Sequence, residues 1–148
     1  MRRLLTNTGA GLVATAAMTI AMEAMFRFLP RHQRYPLPPR LITSRLLRRV
    51  GTPRRVRRHK GALTMVSHFG YGAAAGALHA PITGLRLHPF VEGPLYGLAL
   101  WAVSYLGWLP SMGILPHPDH TPRKRTALMV AAHLVWGTSL ATMAQAVD

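Results

Sequence analysis

The chain has no cysteine and only four acidic residues, Glu23, Glu92, Asp119 and Asp148. The first absence excludes disulfides, thiolate metal sites and cysteine nucleophiles. The second removes most general acids, general bases and carboxylate ligands, and no nucleophile with an attendant base stands out. The sequence is therefore read as non-enzymatic. Charged residues make up 15% of the chain and hydrophobic ones 49%, whereas soluble proteins are about 25% charged. That balance points to a single membrane domain covering residues 1–148.

In place of charge the chain has four long apolar runs, at residues 8–29, 62–84, 93–115 and 126–147. About 20 mostly apolar residues cross a bilayer as one helix. The pattern predicts an all-α fold, a polytopic bundle of four transmembrane helices. A short turn from Leu85 to Glu92 and the proline-rich loop 116–125 join the later spans as hairpins. Arg2 and Arg3 ahead of an apolar run imitate a signal peptide. The run nevertheless passes 20 residues, and Glu23 and Arg27 stand where a cleavage region is small and neutral. Span one is expected to be retained.

The basic residues are distributed unevenly. Segment 31–60 carries eleven Lys/Arg and no acid, and loop 116–125 adds three on the same side. The opposite side has Arg2, Arg3 and Arg86. The positive-inside rule places 31–60 and 116–125 in the cytoplasm and both termini outside, in a bacterial inner membrane. This topology accounts for the net charge of +14 without a nucleic-acid partner.

Within the basic segment, Tyr35-Pro-Leu-Pro-Pro-Arg40 is expected to be extended, because residues before proline avoid the helix. From Arg40 to Val50 the spacing predicts an interfacial helix with a basic face. Its expected partner is the lipid bilayer with its anionic headgroups. The headgroup-facing residues are Arg40, Arg45, Arg48, Arg49, Arg54, Arg55, Arg57, Arg58 and Lys60. Topological anchoring and lipid sensing both fit this segment.

Depth along the spans picks out an inner polar layer. Glu23, His68, Tyr105 and His133 fall roughly 9–15 Å below the cytoplasmic end at 1.5 Å per residue. Arg27 lies one turn from Glu23. Ionisable groups at such depth usually face a bundle interior and pair. Three readings are open for this layer. It is a structural set of internal hydrogen bonds, a proton- or ion-handling site, or a metal or tetrapyrrole site using His68, His133 and Glu23. No cofactor is called for. The tract His117-Pro-Asp119-His120 reads as a solvated turn.

Small residues mark the expected helix contacts. Gly11 and Thr15 in span one, Gly72 and Gly76 in span two, Gly97 in span three and Gly137 in span four recur at four-residue spacing with their neighbours. Such rows let membrane helices approach closely. Two fragments also echo each other: His68-Phe-Gly-Tyr-Gly72 matches His133-Leu-Val-Trp-Gly137, and Phe28-Leu-Pro30 matches Trp108-Leu-Pro110. A duplicated hairpin would make His68 and His133 equivalent and set them face to face.

PLPPR after the first span, HFGYG in the second, and GWLP, HP and AAHLVWG across the last two resemble the YagU-like family. These are small bacterial inner-membrane proteins of uncharacterised function, associated with acid resistance. The resemblance covers about residues 11–140 and implies an envelope or acid-stress role. It supplies no catalytic residue. The basic insert from Arg45 to Lys60 is not a family feature. The alternative expectation is a structural, pigment- or haem-associated subunit of a larger membrane complex, with a homo-oligomer or another membrane protein as partner.

Overall fold

The computed structural model describes residues 1–83 and 87–147. Gly84, Leu85, Arg86 and Asp148 lie outside the described residues, and with them the first part of the expected 85–92 turn and the Arg86 charge. Helix accounts for 83% of the chain, and no strand occurs among the described residues. The all-α expectation holds.

Among the described residues seven α-helices follow in order: α1 (Arg2–Phe26), α2 (Pro38–Arg49), α3 (Arg54–Arg57), α4 (Lys60–Thr83), α5 (Pro89–Ala102), α6 (Leu109–Ser111) and α7 (Arg123–Val147). The four apolar runs thus appear as α1, α4, α5 and α7. At 1.5 Å per residue the 25 residues of α1 or α7 reach about 37 Å. Among the described residues two helices, α1 and α7, are both long and apolar enough to cross a membrane. α4 has the length, with two histidines and four glycines along it. The third run departs from the expected continuous helix 93–115. It widens to a π-turn over Val103–Trp108 and breaks at Gly107 (φ −101°, ψ −108°). Pro110, with no N–H to give, follows the break in the short α6.

α1 is the central helix, packed along α4 on one side and α7 on the other, and α7 packs in turn against α5. Small residues set these crossings. Glycine at 11 lies against the backbone of Gly72 and Gly76, and Gly93 and Gly97 lie against Gly137 and the carbonyl of His133. A β-carbon at any of these glycines would run into a neighbouring backbone or, at Gly72, into the Thr15 hydroxyl. The expected small-residue contacts at Gly11, Thr15, Gly72, Gly76, Gly97 and Gly137 all fall in helix–helix seams.

The bundle is apolar outside and partly polar inside. Ile20, Val66, Leu78, Leu95 and Val103 are 60% or more exposed, while Asn7, His79, Thr83 and Glu92 are 2% or less.

The 31–60 segment folds back on the bundle. Helix begins at Pro38 rather than after Arg40, because Pro38 and Pro39 occupy the first turn, where a missing N–H costs nothing. Of the stretch expected to be extended, Tyr35, Pro36 and Leu37 stay outside any helix, and Leu37 is extended. Gly51, at φ +65°, ends α2. α2 packs on α4, and the Thr43 and Ser67 hydroxyls meet at 3.1 Å.

Candidate functional site

At the bundle end carrying Arg2 and Val147, all four long helices contribute to one buried polar knot. Asn7 comes from α1, His79 and Thr83 from α4, Glu92 and Tyr96 from α5, and Gln145 from α7. The His79 Nε2 and Glu92 Oε1 atoms are 2.9 Å apart, and both side chains are closed to solvent.

The hydrogen bonds fix the proton positions around the pair. Asn7 Nδ2 donates to the Arg3 carbonyl at 2.9 Å, so its Oδ1 points inward as an acceptor. That oxygen lies 2.9 Å from His79 Nδ1 and accepts the Thr83 hydroxyl proton at the same distance. Nδ1 therefore carries a hydrogen, and Nε2 is left to face Glu92. Gln145 Nε2 donates to Glu92 Oε2 at 3.1 Å and to the Leu87 carbonyl at 2.8 Å. The Nε2–Oε1 approach is off the axis of a good hydrogen bond, and neither atom has another partner among the described residues. One mobile proton, on Nε2 or on Oε1, makes the pair neutral overall. A second gives the knot a buried positive charge, and loss of the first leaves a buried negative one.

This knot is wired to the middle of the bundle. The Tyr96 ring lies 4.7 Å from the His79 ring, and its hydroxyl donates to the Ala75 carbonyl at 2.7 Å. Trp136 stacks on Tyr96 at 6.0 Å. The indole N–H of Trp136 donates to Thr15 Oγ1 at 3.1 Å, and Thr15 donates to the Gly11 carbonyl at 2.7 Å.

The expected inner layer is only partly gathered: Glu23 shares a groove with His68, His68 and Tyr105 line one cavity, and Tyr105 packs on His133. His133 is buried, with Nδ1 donating to the Met129 carbonyl at 2.7 Å and its ring edge-on to Tyr105 at 5.7 Å. Glu23 is exposed and lines a groove with His68 and Arg40. No hydrogen bond or ion pair joins Glu23 to Arg27, His68 or His133 among the described residues, and Arg27, like Glu23, is exposed. No ring contact joins His68 to His133 among the described residues, so the face-to-face pairing expected from the echo is not seen. Gly72 and Gly137 of the two echo fragments do occupy matching places, each at a tight helix crossing. Glu23, His68 and His133 do not gather as metal ligands, since no group of three or more His, Cys, Asp or Glu side chains suited to a metal occurs among the described residues.

Two basic residues counted only as charge have specific structural partners. Arg45, expected to face lipid headgroups, instead donates to the Ile114 carbonyl at 2.5 Å. Arg125 is buried, donating to the carbonyls of Gln33, Tyr35 and Pro36 at 2.7–3.0 Å. Its guanidinium carbon lies 3.6 Å above the Tyr35 ring. The remaining members of the basic set keep to the surface: Arg40, Arg48, Arg49, Arg54, Arg55, Arg58 and Lys60 are exposed, and Arg57 is half-buried. In the 116–125 loop, His117 Nδ1 pairs with Asp119, and that hydrogen bond holds the carboxyl below its ordinary range.

No family model matches the chain, and no curated protein or solved structure matches it either.

Proposed function

We propose that this is a non-enzymatic, multi-pass protein of a bacterial inner membrane whose outer polar knot responds to acid. Its termini lie outside and α2 lies on the cytoplasmic face. The buried His79–Glu92 pair carries the proposal. Two titratable groups 2.9 Å apart, sealed from water, share one mobile proton and change the net charge of a four-helix junction when they gain another. The groups facing the pair from every packed helix are Asn7, Thr83, Tyr96 and Gln145, and none of these supplies a compensating charge near neutral pH. Acid therefore drives an uncompensated cation into the knot, which favours loosening of the seams around it.

Three further observations support this reading. The exterior of the long helices is apolar. The exposed basic residues of segment 31–60 collect at the end opposite the knot. The resemblance to the YagU-like family carries an association with acid resistance. The accessory-subunit reading needs a span histidine on the outward face, whereas His79 and His133 are buried and His68 is half-covered beside α2.

The test uses Trp136 as a reporter in proteoliposomes, with Trp101 and Trp108 replaced by Phe. Its emission is expected to titrate between neutral and acid pH. Glu92→Gln and His79→Gln are expected to abolish or displace that titration, and Glu23→Gln is expected to leave it in place. An unchanged titration in both knot variants refutes the proposal.

A further inference from the structure

Beneath α2 lies a partly open cavity of about 370 Å³. Ile42, Leu46 and Leu47 roof it, Met18 and Met129 reach it from α1 and α7, and Trp108 lines it from the π-turn. The size falls at the lower end of small-molecule sites, roughly 300–1,000 Å³. At about 30 Å³ per water-sized group it has room for about a dozen such groups.

The hydroxyls of Thr43, Ser67, Tyr71 and Ser104 on its wall are satisfied internally, whereas the Tyr105 hydroxyl and the Trp108 indole N–H make no hydrogen bond among the described residues. The Tyr71 and Ser104 hydroxyls pair at 2.9 Å. Thr43 donates to the Pro39 carbonyl at 2.9 Å and meets Ser67. Of the side chains lining it, only His68, through Nε2, has a buried polar atom without a partner among the described residues. Water held in a cavity needs two to four polar partners each, so a dozen waters would be poorly held there. An alkyl chain needs none.

The cavity adjoins the Glu23 groove, with Pro39 and His68 lining both. That groove, of about 530 Å³, carries one carboxylate and one guanidinium, Glu23 and Arg40. Neither makes an ion pair or side-chain hydrogen bond among the described residues, and they do not pair with each other. A free cation and a free anion beside an apolar slot form a pattern complementary to a headgroup that is itself zwitterionic.

We propose that the cavity and groove together bind one glycerophospholipid with an amine-bearing zwitterionic headgroup. One hydrocarbon chain fills the space under α2. An ester carbonyl accepts a hydrogen bond from His68 Nε2–H, the phosphate faces Arg40, and the ammonium faces Glu23. The two methionines let the slot adapt to chain shape. This inference rests on the membrane reading but not on the acid response.

Native mass spectrometry tests it, on protein released from vesicles of phosphatidylethanolamine and phosphatidylglycerol in equal parts. One retained phosphatidylethanolamine per chain is expected. Ile42→Trp, which fills the slot, is expected to remove it. Glu23→Gln, at an exposed position where folding is not at stake, is expected to cut the preference for the amine lipid by about two- to fivefold, the effect of one partly exposed charge pair. Equal retention of both lipids by wild type, or an unchanged preference in Glu23→Gln, overturns the site. A haem or pigment mass in place of a lipid overturns it also. Failure of the protein to partition into vesicles at all overturns the membrane reading instead.

Discussion

Substituting Gly72 by alanine tests whether the α1–α4 seam depends on contact between backbones. The added β-carbon would overlap Thr15 Oγ1 and stand 3.1 Å from Thr15 Cβ. A free hydroxyl would rotate away. Thr15 is held from two sides, since it donates to the Gly11 carbonyl and accepts the Trp136 indole N–H. Moving it breaks both bonds and leaves a buried N–H without a partner, which costs about 1–3 kcal/mol. Overpacking adds about 1–3 kcal/mol, and the better helix propensity of alanine returns about 1 kcal/mol. The expected net loss is about 3 kcal/mol. Gly70, two residues earlier in the same helix, has nothing within 4 Å of its virtual β-carbon. Gly70→Ala should therefore be neutral or stabilising by up to about 1 kcal/mol.

Thermal unfolding of the two variants in one detergent measures the difference. With a shift of roughly 2–4 °C per kcal/mol for a domain of this size, Gly72→Ala should melt well below wild type and Gly70→Ala at or above it. Thr15→Ala clears the space that a β-carbon at position 72 would occupy, so the cost of Gly72→Ala should shrink in that background. Equal melting of the two glycine variants, or an undiminished cost in the Thr15→Ala background, refutes the reasoning.

Other outcomes follow from the same geometry. Arg125→Gln removes a charge-assisted hold on the carbonyls of residues 33–36 and the stacking on Tyr35, a loss of about 2–4 kcal/mol. Trypsin should then cut after Arg31 or Arg34 at least about tenfold faster, and an unchanged digestion pattern counts against the hold. Asp119 keeps its charge to lower pH than an ordinary aspartate because His117 donates to it. A depressed carboxyl pKa contributes stability that is present at neutral pH and lost as pH falls through the folded value. His117→Ala should therefore raise the Asp119 titration midpoint toward the ordinary range by NMR, without moving the Trp136 titration.

Much of the architecture was legible from hydropathy and glycine spacing. Apolar runs located all four long helices, and the basic helix was expected at 40–50 and found as α2. The glycine rows were informative because a seam between backbones needs the same small residues wherever it occurs. The break at Gly107 was hidden, since Gly-Trp-Leu-Pro reads as a continuation of an apolar run until Pro110.

The candidate site was not legible in the same way. Asn7, His79 and Glu92 are far apart in the chain and sit at span ends, where polar residues look like ordinary boundary residues. Ranking by depth favoured Glu23, which turned out to point outward. The one usable signal was scarcity. With four acids in the chain, Glu92 at the mouth of a span was as informative as Glu23. Arg45 and Arg125 were missed because the positive-inside rule sums charges and says nothing of which carbonyl each one meets.

The hydrogen bond between Thr15 and Trp136 spans 121 positions of the chain. At about 5–20 residues per second of synthesis, the first helix waits on the order of ten seconds for its last partner. Through that interval the hydroxyl would lack a partner, were it not already bonded to the Gly11 carbonyl one turn back. Because that local bond lies within its own helix, α1 can shelter its polar row alone. It can then offer the same oxygen to the indole when α7 arrives, so the order of assembly is built into a single threonine.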